Sequence, residues 1–146
     1  SMELRADRID YCAGKQRIVD YKTATATRSM WDGARMHDPQ LPLYTLSSPD
    51  VQAVTFCSLH PQQWGYNGIS AQPEPLKGLV TVDKWLKDAS LQWQDQVQQW
   101  QDQLTVLADQ YANGLATVAP KDLQACQQCQ LENICRKMSA CRTATD

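Results

Sequence analysis

The chain has 146 residues, of which 42% are hydrophobic, and a net charge of −2. This length allows one ordinary hydrophobic core but not two, and no apolar run approaches the length of a membrane span. The mild negative charge argues against strong autonomous binding of nucleic acid, because phosphate affinity depends mostly on lysine and arginine. No signal peptide is present and Ser1-Met2 is typical of a cloning remnant, so we expect a fragment of a larger cytoplasmic protein.

The chain begins with a predicted β-hairpin. Residues 3–12 and 16–23 have the composition of strands, and Ala13-Gly14 supplies turn residues between them. A turn centred there sets Asp10 opposite Arg17, and we expect these two side chains to form a cross-strand ion pair.

Two carboxylates and a lysine are brought together by the same hairpin. The register sets Asp7 opposite Asp20, and the two-residue period of a strand projects Asp20 and Lys22 from one face, with Tyr21 on the other. Facing carboxylates beside an ammonium group are typical of a Mg²⁺ site with a catalytic cation next to it. The alternative is that the charges only decorate a solvated strand. Because Asp20 lies in the apolar run Ile18-Val19-Asp20-Tyr21, we favour the site.

The rest of the chain is predicted to alternate loops with short strands and helices. Residues 24–37 show little periodicity and are expected to be mostly loop. We then expect a short helix at about 39–47, a buried strand at 51–59, a loop or weak hairpin at 61–75 and a short strand at 79–82. Asp83 should cap a long helix that ends at Gly114.

An apolar stripe follows this long helix at intervals of three and four residues. The stripe consists of Leu86, Ala89, Trp93, Val97, Trp100, Leu104, Leu107 and Tyr111. Its tryptophans suggest two alternatives, base stacking or packing against the sheet or a neighbouring domain. The periodicity favours packing, so we expect the stripe to face protein.

The C-terminal tail contains a cysteine cluster formed by Cys126, Cys129, Cys135 and Cys141. In a reducing compartment, such clusters hold metal more often than they form disulfides. A zinc ribbon normally has two Cys-x-x-Cys pairs, and only one is present here.

The hairpin motifs resemble those of the PD-(D/E)XK nuclease superfamily, in particular its RecB and AddB group. The matching segments are Arg5-Ala-Asp-Arg-Ile-Asp10, Val19-Asp-Tyr-Lys-Thr23 and, about twenty residues later, Gln40-Leu-Pro-Leu-Tyr44. The resemblance implies an α/β fold of the restriction-endonuclease type, in which helices flank a mixed sheet. It also implies a partial nuclease core at 3–119, without the family's N-terminal core helix, and a Cys-rich tail at 120–146.

The resemblance also assigns roles to individual residues. Asp7 and Asp20 would bind Mg²⁺ or Mn²⁺, with the main-chain carbonyl of Tyr21 as a third ligand. Lys22 would activate the attacking water or neutralise charge on the phosphate. Two further pairs complete the expected site: Gln40 and Tyr44 would position the strand or the water, and Arg28 and Arg35 are candidate DNA contacts.

The tail spacing is similar to the iron–sulfur tail of AddB-type nucleases and their CRISPR-associated relatives. That resemblance makes the four tail cysteines candidate ligands of a 4Fe-4S cluster, although the family's fourth ligand is an upstream cysteine that this chain lacks. Cys141, Cys12 or Cys57 could substitute, but Cys57 is expected to be buried. We expect the cluster in the full-length parent and not in this fragment.

Together these features predict a metal-dependent DNA nuclease, expected to be an exonuclease. Its expected partners are DNA and the remainder of a helicase-like repair or recombination protein in the bacterial cytoplasm, at the nucleoid. Two alternatives stay open: an inactive nuclease fold that binds DNA or acts as a scaffold, and a metal-stapled, Cys-rich interaction module.

Overall fold

The computed structural model describes residues 4–12, 14–122, 125–126, 129 and 131–135. They form a five-stranded sheet whose strands are β1 (Arg8–Cys12), β2 (Lys15–Lys22), β3 (Val51–Ser58), β4 (Gly65–Ser70) and β5 (Leu79–Thr81). The helices are α1 (Gln40–Thr45), α2 (Val82–Leu86), α3 (Trp93–Ala112) and the short α4 (Glu132–Cys135), with a 3₁₀ turn at Arg28–Trp31. No helix in these ranges is both long and apolar enough to cross a membrane.

The β1–β2 hairpin has the predicted register. Arg8 pairs with Val19, and Asp10 pairs with Arg17, as a turn centred between residues 13 and 14 requires. Gly14 has a φ of +76°, a conformation that favours glycine. The expected ion pair is also present, with Arg17 Nη2 3.1 Å from Asp10 Oδ2. The hairpin and its register are therefore confirmed, although residues 4–7, which were predicted as strand, lie before β1.

The sheet is mixed and its strands follow chain order, from β1 at one edge to β5 at the other. β2 and β3 run parallel, as do β4 and β5, while the β1–β2 and β3–β4 pairs are antiparallel. The crossover between β2 and β3 passes through the 3₁₀ turn and α1, and α1 packs on both strands and on α3. This arrangement confirms the predicted α/β class, with β2 in the interior of the sheet.

An aromatic cluster forms the centre of the core. The ring of Trp31, from the 3₁₀ turn, lies 4.9 Å from the ring of Phe56 and 5.8 Å from that of Trp100. Leu41 of α1 and Ile18 of β2 are fully buried in the same cluster. The loop at 24–37 is therefore anchored at its middle, although most of it is irregular as predicted.

The single long helix predicted from Asp83 to Gly114 is wrong. α2 starts after its N-cap residue Thr81 and ends at Leu86, and the next residue, Lys87, has a left-handed φ of +57°. A turn follows in which Asp88 Oδ1 accepts hydrogen bonds from the Ser90 amide and hydroxyl. Such local side-chain bonds compete with the helix, and apolar spacing alone does not report them. Only the predicted C-terminal end is correct, since α3 finishes at Ala112.

The apolar stripe is buried along only part of its length. Trp93 and Trp100 are 5% and 0% exposed, whereas Leu86 is 37% and Tyr111 88% exposed. Leu86 belongs to a separate helix, and the second half of α3 extends beyond the six-residue α1 on which it packs. The prediction that the whole stripe faces protein is therefore wrong at its ends, where Leu86, Ala89 and Tyr111 are exposed, while Leu104 and Leu107 are partly buried.

A strand also lies where a loop or weak hairpin was predicted, at 61–75. β4 pairs antiparallel with β3, and Gly68 lies so close to it that a Cβ atom there would be 2.3 Å from the Val54 carbonyl oxygen. Glycine lowers the strand signal in sequence but permits this close contact.

Candidate active site

Lys22 is held between two carboxylates at the end of β2. Its Nζ lies 2.8 Å from Asp20 Oδ2 and 2.7 Å from Asp38 Oδ2. The same ammonium lies 5.6 Å from the centre of the Phe56 ring. Burial opposes the positive charge, but the bonds to Asp20 and Asp38 outweigh it and raise the pKa of Lys22 above its ordinary value. Lys22 is thus a charged group at neutral pH, which suits charge neutralisation better than proton abstraction.

Asp20 is a buried carboxylate, only 3% exposed. Burial raises its pKa above the ordinary value, Lys22 lowers it, and the negative charges of Asp38 and Asp7 raise it further. Among the described residues, the partner of Asp20 Oδ2 is the Lys22 ammonium, which forms an ion pair with it. The angles of this contact do not meet those of a hydrogen bond. A buried carboxylate oxygen in this condition is a candidate cation ligand.

Asp7 lies in the bend immediately before β1, next to the strand that carries Asp20 and Lys22. Its Oδ2 accepts a hydrogen bond of 3.0 Å from the Tyr21 amide. The last residue of β1 that pairs with β2 is Arg8, and the Asp7 side chain makes a further bond to β2 from one position earlier in the chain. This exposed carboxylate lies at the same end of β2 as the lysine, and its negative charge acts on Asp20. A metal site shared by Asp7, Asp20 and Lys22 stays a prediction. The Tyr21 carbonyl as a metal ligand stays a prediction.

Gln40 and Tyr44 lie one turn apart on α1 and contact each other. Gln40 Nε2 donates to the Tyr44 hydroxyl at 3.0 Å, and that hydroxyl donates to the carbonyl of Arg5. Tyr44 is 8% exposed. The pair therefore ties α1 to the segment that leads into Asp7, so in this structure it orients the Asp7 segment.

Asp38 was missed by the sequence reasoning. It contacts Lys22 through Oδ2, while its Oδ1 accepts a hydrogen bond of 3.1 Å from the Gln40 amide. The available signal was an aspartate directly before Pro39 and a short helix, which indicates a helix start. Nothing local in the sequence indicates that the other oxygen of this carboxylate reaches the end of β2.

A cleft of about 460 Å³ opens beside this network. Lys22 and Asp38 line it, together with the loop at 23–26 and Ala125. A family model of the PD-(D/E)XK nuclease superfamily matches residues 3–136, a range that includes every strand and the whole network. The chain belongs to the PD-(D/E)XK nuclease superfamily. Comparison with curated proteins and with solved structures gave no significant match.

PD-(D/E)XK nucleases commonly use divalent metals, and the chemistry of this site fits one. No three His, Cys, Asp or Glu side chains among the described residues converge as a metal-binding group. Mg²⁺ does not need such a group, because it keeps several waters and binds through one or two carboxylates plus substrate phosphate. Asp20, whose buried Oδ2 has the Lys22 ammonium as its partner, and the exposed Asp7 would supply those carboxylates.

The two candidate DNA-contacting arginines have intramolecular partners in this nuclease fold. Arg28 Nη1 donates to the carbonyls of Gly68 and Gly78 at 3.1 and 3.0 Å, and burial lowers its pKa. Arg35 Nη2 donates to Gln110 at 3.3 Å. These bonds give Arg28 a structural role at the β4–β5 edge, and DNA contact by either arginine stays a prediction.

The segment after α3 returns to the active-site side of the nuclease. Lys121 Nζ donates to the carbonyl of Asp32 at 2.7 Å, and His37 Nε2 lies 2.9 Å from Asp122 Oδ2. Ala125, three residues on, lines the cleft. The start of the tail is therefore attached around the 3₁₀ turn and the loop that carries Asp38.

The cysteines of the tail give no cluster within the described residues. Cys126 and Cys135 are partly buried and Cys129 is exposed, and each is a free thiol. Cys141 lies outside the described residues, so the predicted four-cysteine site stays a prediction. Cys12 is exposed, while Cys57 is buried in β3 as expected.

Replacing Asp20 with asparagine is expected to stabilise the fold at neutral pH in metal-free buffer. The pKa of Asp20 is higher in the folded state than in the unfolded state. The contribution of this carboxyl to the free energy of unfolding is therefore fully present below the unfolded-state pKa, and it is lost as pH rises through the folded-state pKa. Asn removes the buried charge. A gain of about 1 kcal/mol in the free energy of unfolding would raise the Tm by roughly 2–4 °C in a domain of this size.

Thermal unfolding at about pH 7 and about pH 3 measures this effect, which should vanish at the lower pH, where an Asp carboxyl is mostly protonated. Asp109→Asn, on the exposed part of α3, is the matched control. A lower Tm for Asp20→Asn at neutral pH would show instead that the ion pair with Lys22 outweighs the burial of the charge.

Proposed function

We propose that this chain is a metal-dependent DNA nuclease domain that hydrolyses phosphodiester bonds. The observation that carries the proposal is the ammonium of Lys22, held between the buried Asp20 and Asp38 at a cleft that Lys22 and Asp38 line. A lysine that only increases solubility would extend into solvent, whereas Lys22 forms ion pairs with two carboxylates at a buried strand end. The motifs of the hairpin and of α1 further support a RecB/AddB-type exonuclease, acting within a larger helicase-like DNA repair protein.

In this proposal, Asp7 and Asp20 hold the divalent cation. When bound, Mg²⁺ or Mn²⁺ would lower the pKa of the attacking water and stabilise charge on the phosphate. Lys22 supplies a fixed positive charge next to the phosphate oxygens, where charge develops during hydrolysis. Its position is defined by two short ion pairs, so little reorganisation is needed when substrate binds.

Asp38 and the Gln40–Tyr44 pair act on the site through other residues. Asp38 orients Lys22 and at the same time bonds the amide that starts α1. The Tyr44 hydroxyl donates a hydrogen bond to the Arg5 carbonyl and thereby positions the backbone that leads to Asp7. Sequence resemblance suggested direct positioning of water or DNA by this pair, and the contacts favour positioning of the Asp7 segment.

The proposal is tested by incubating end-labelled linear single- and double-stranded DNA with the protein at several Mg²⁺ and Mn²⁺ concentrations. Metal-dependent cleavage that disappears in Lys22→Ala supports it, and mononucleotide release from one end would identify an exonuclease and its polarity. Binding without cleavage by a correctly folded protein would favour the inactive DNA-binding module. Neither binding nor cleavage, with folding that depends on metal, would favour the interaction module.

The iron–sulfur cluster belongs to the same proposal, as a feature of the full-length parent. Anaerobic preparation of the parent protein should give iron and an absorbance band near 400 nm, roughly where thiolate-bound iron absorbs. A colourless, iron-free parent would remove the cluster from the proposal, while a brown preparation of the 146-residue chain would show that Cys141 or another local cysteine completes the site.

Replacing Asp38 with asparagine is expected to lower the cleavage rate by about 10- to 100-fold, as displacement of a catalytic group by a supporting residue does. Asn keeps an oxygen for the Gln40 amide but loses the charge that holds Lys22. The Tm should change little. Cleavage rates are measured for Asp38→Asn, for Lys22→Ala and for the double variant.

If Asp38 acts through Lys22, the double variant should be no slower than Lys22→Ala alone. Multiplicative losses would contradict this positioning role and indicate that Asp38 contributes independently. Asp109→Asn again serves as the control, because its carboxylate lies on the exposed part of α3.

A further inference from the structure

We propose that Trp64 is a stacking contact for a base of single-stranded DNA that enters the cleft. The inference rests on the proposed nuclease function and specifies its substrate class. Trp64 is 83% exposed, whereas the core tryptophans Trp31, Trp93 and Trp100 are 5% exposed or less. Within the part of the chain that the structure describes, this indole is therefore presented to solvent and is not packed in the core.

The sheet register places Trp64 at the same end of the fold as the active site. Lys22 pairs with Ser58, and Ser58 pairs with Gly65, so the three residues form one row across β2, β3 and β4. Adjacent strands are about 4.8 Å apart, so the backbone next to Trp64 lies roughly 10 Å from that of Lys22. A separation of this size is no longer than a few nucleotides of DNA, so a single DNA strand can contact both Lys22 and Trp64.

The loop that carries Trp64 is attached to the wall of the cleft. The Thr25 hydroxyl donates to Gln63 Oε1 at 2.9 Å, and Thr25 is a lining residue of the cleft. At the start of the same loop, the Leu59 amide donates to the Lys22 carbonyl at 2.8 Å. Trp64 therefore sits on a segment bonded at both ends to the strand and loop that form the site.

The loops around Trp64 carry no negative charge, although the chain has a net charge of −2. The loop at 59–64 and the loop at 23–28 contain no aspartate or glutamate. Phosphates approaching Lys22 from this side meet hydroxyl, amide and aromatic groups. These two loops therefore add no repulsion of DNA to that of Asp20 and Asp38 beside Lys22, and the aromatic face of Trp64 offers a contact that needs no positive charge.

Single-stranded DNA is the form that this contact would recognise. Every base presents a π-face that stacks on an aromatic ring, whereas the bases of a duplex are already stacked on each other. Loss of one stacking residue costs about 1–3 kcal/mol, which corresponds to roughly 5- to 150-fold in Kd.

The test measures binding of a fluorescein-labelled oligo(dT) strand and of a duplex of equal length, in metal-free buffer that prevents cleavage. Trp64→Ala should weaken oligo(dT) binding by about 5- to 150-fold and duplex binding far less, with Trp64→Phe restoring most of the affinity. The matched control is Tyr111→Ala, which removes another aromatic side chain, 88% exposed, from the C-terminal part of α3. It should bind oligo(dT) as tightly as the unsubstituted 146-residue chain does. In this test, the parent is that unsubstituted chain. Because Trp64 is exposed, its variants should unfold at the parental temperature.

Equal oligo(dT) affinity of Trp64→Ala and the parent would overturn the inference, as would an equal loss for single-stranded and duplex DNA. Failure of the parent to bind oligo(dT) at all would also overturn it. These results are separate from the nuclease assay. If the parent cleaves no DNA with any metal while the Trp64-dependent preference for oligo(dT) is observed, the nuclease proposal fails and the stacking contact stands.

Discussion

Replacing Lys22 with alanine is expected to reduce metal-dependent DNA cleavage by about 100- to 1,000-fold, the loss typical of removing one preorganised electrostatic group. The reason is the loss of a fixed positive charge at the phosphate, since Lys22 is held by Asp20 and Asp38 at 2.8 and 2.7 Å. Initial cleavage rates on linear DNA at saturating Mg²⁺ measure the effect.

Two variants sharpen this prediction. Lys15→Ala removes a lysine from the other end of the same strand, on an exposed position, and should cleave as the parent does. Lys22→Arg keeps the charge but replaces a compact ammonium with a planar guanidinium, so it should recover activity only in part. Cleavage by Lys22→Ala at the parental rate would remove Lys22 from the catalytic site and, with it, the central argument for a nuclease.

Replacing Trp100 with alanine is expected to destabilise the fold by about 3–5 kcal/mol. Trp100 is fully buried, and its ring packs edge-on against Trp31 and Trp93 at 5.8 and 6.4 Å. A domain of this kind has a total stability of about 5–15 kcal/mol, so the loss removes a large share of it. Urea denaturation followed by circular dichroism measures the free energy of unfolding.

Trp100→Phe should cost less than Trp100→Ala. It keeps an aromatic ring in the core and removes the indole Nε1, which has no hydrogen-bond partner within the described residues. Trp64→Ala is the surface control and should stay within about 0.5 kcal/mol of the parent. An equal effect of Trp64→Ala and Trp100→Ala would contradict the packing of the core described above.

Local rules in the sequence were sufficient for the hairpin and for the placement of its charged residues. Strand alternation and the count of residues from the turn placed Asp7 beside the strand that presents Asp20 and Lys22, because both rules act over neighbouring positions. The same reasoning placed Gln40 and Tyr44 one turn apart on a short helix, where they form a hydrogen bond.

Tertiary contacts decided what these local rules do not contain. The break at Lys87 divides a continuous apolar pattern into two helices, and β4 forms where glycine weakens the strand signal. The placement of Lys121 and Asp122 depends on bonds to the distant Asp32 carbonyl and to His37. None of these contacts has a periodicity, so pattern analysis could not find them.

The sequence by itself placed a carboxylate and a lysine on one face of β2, and a second carboxylate, Asp7, beside the same end of that strand. Only the tertiary structure decided how that lysine is held. Asp38 reaches Lys22 because the crossover between two parallel strands brings the start of α1 to the end of β2. The physical reason is that a side chain's partners across sixteen residues of irregular backbone depend on where the chain packs, and packing is a property of the whole fold.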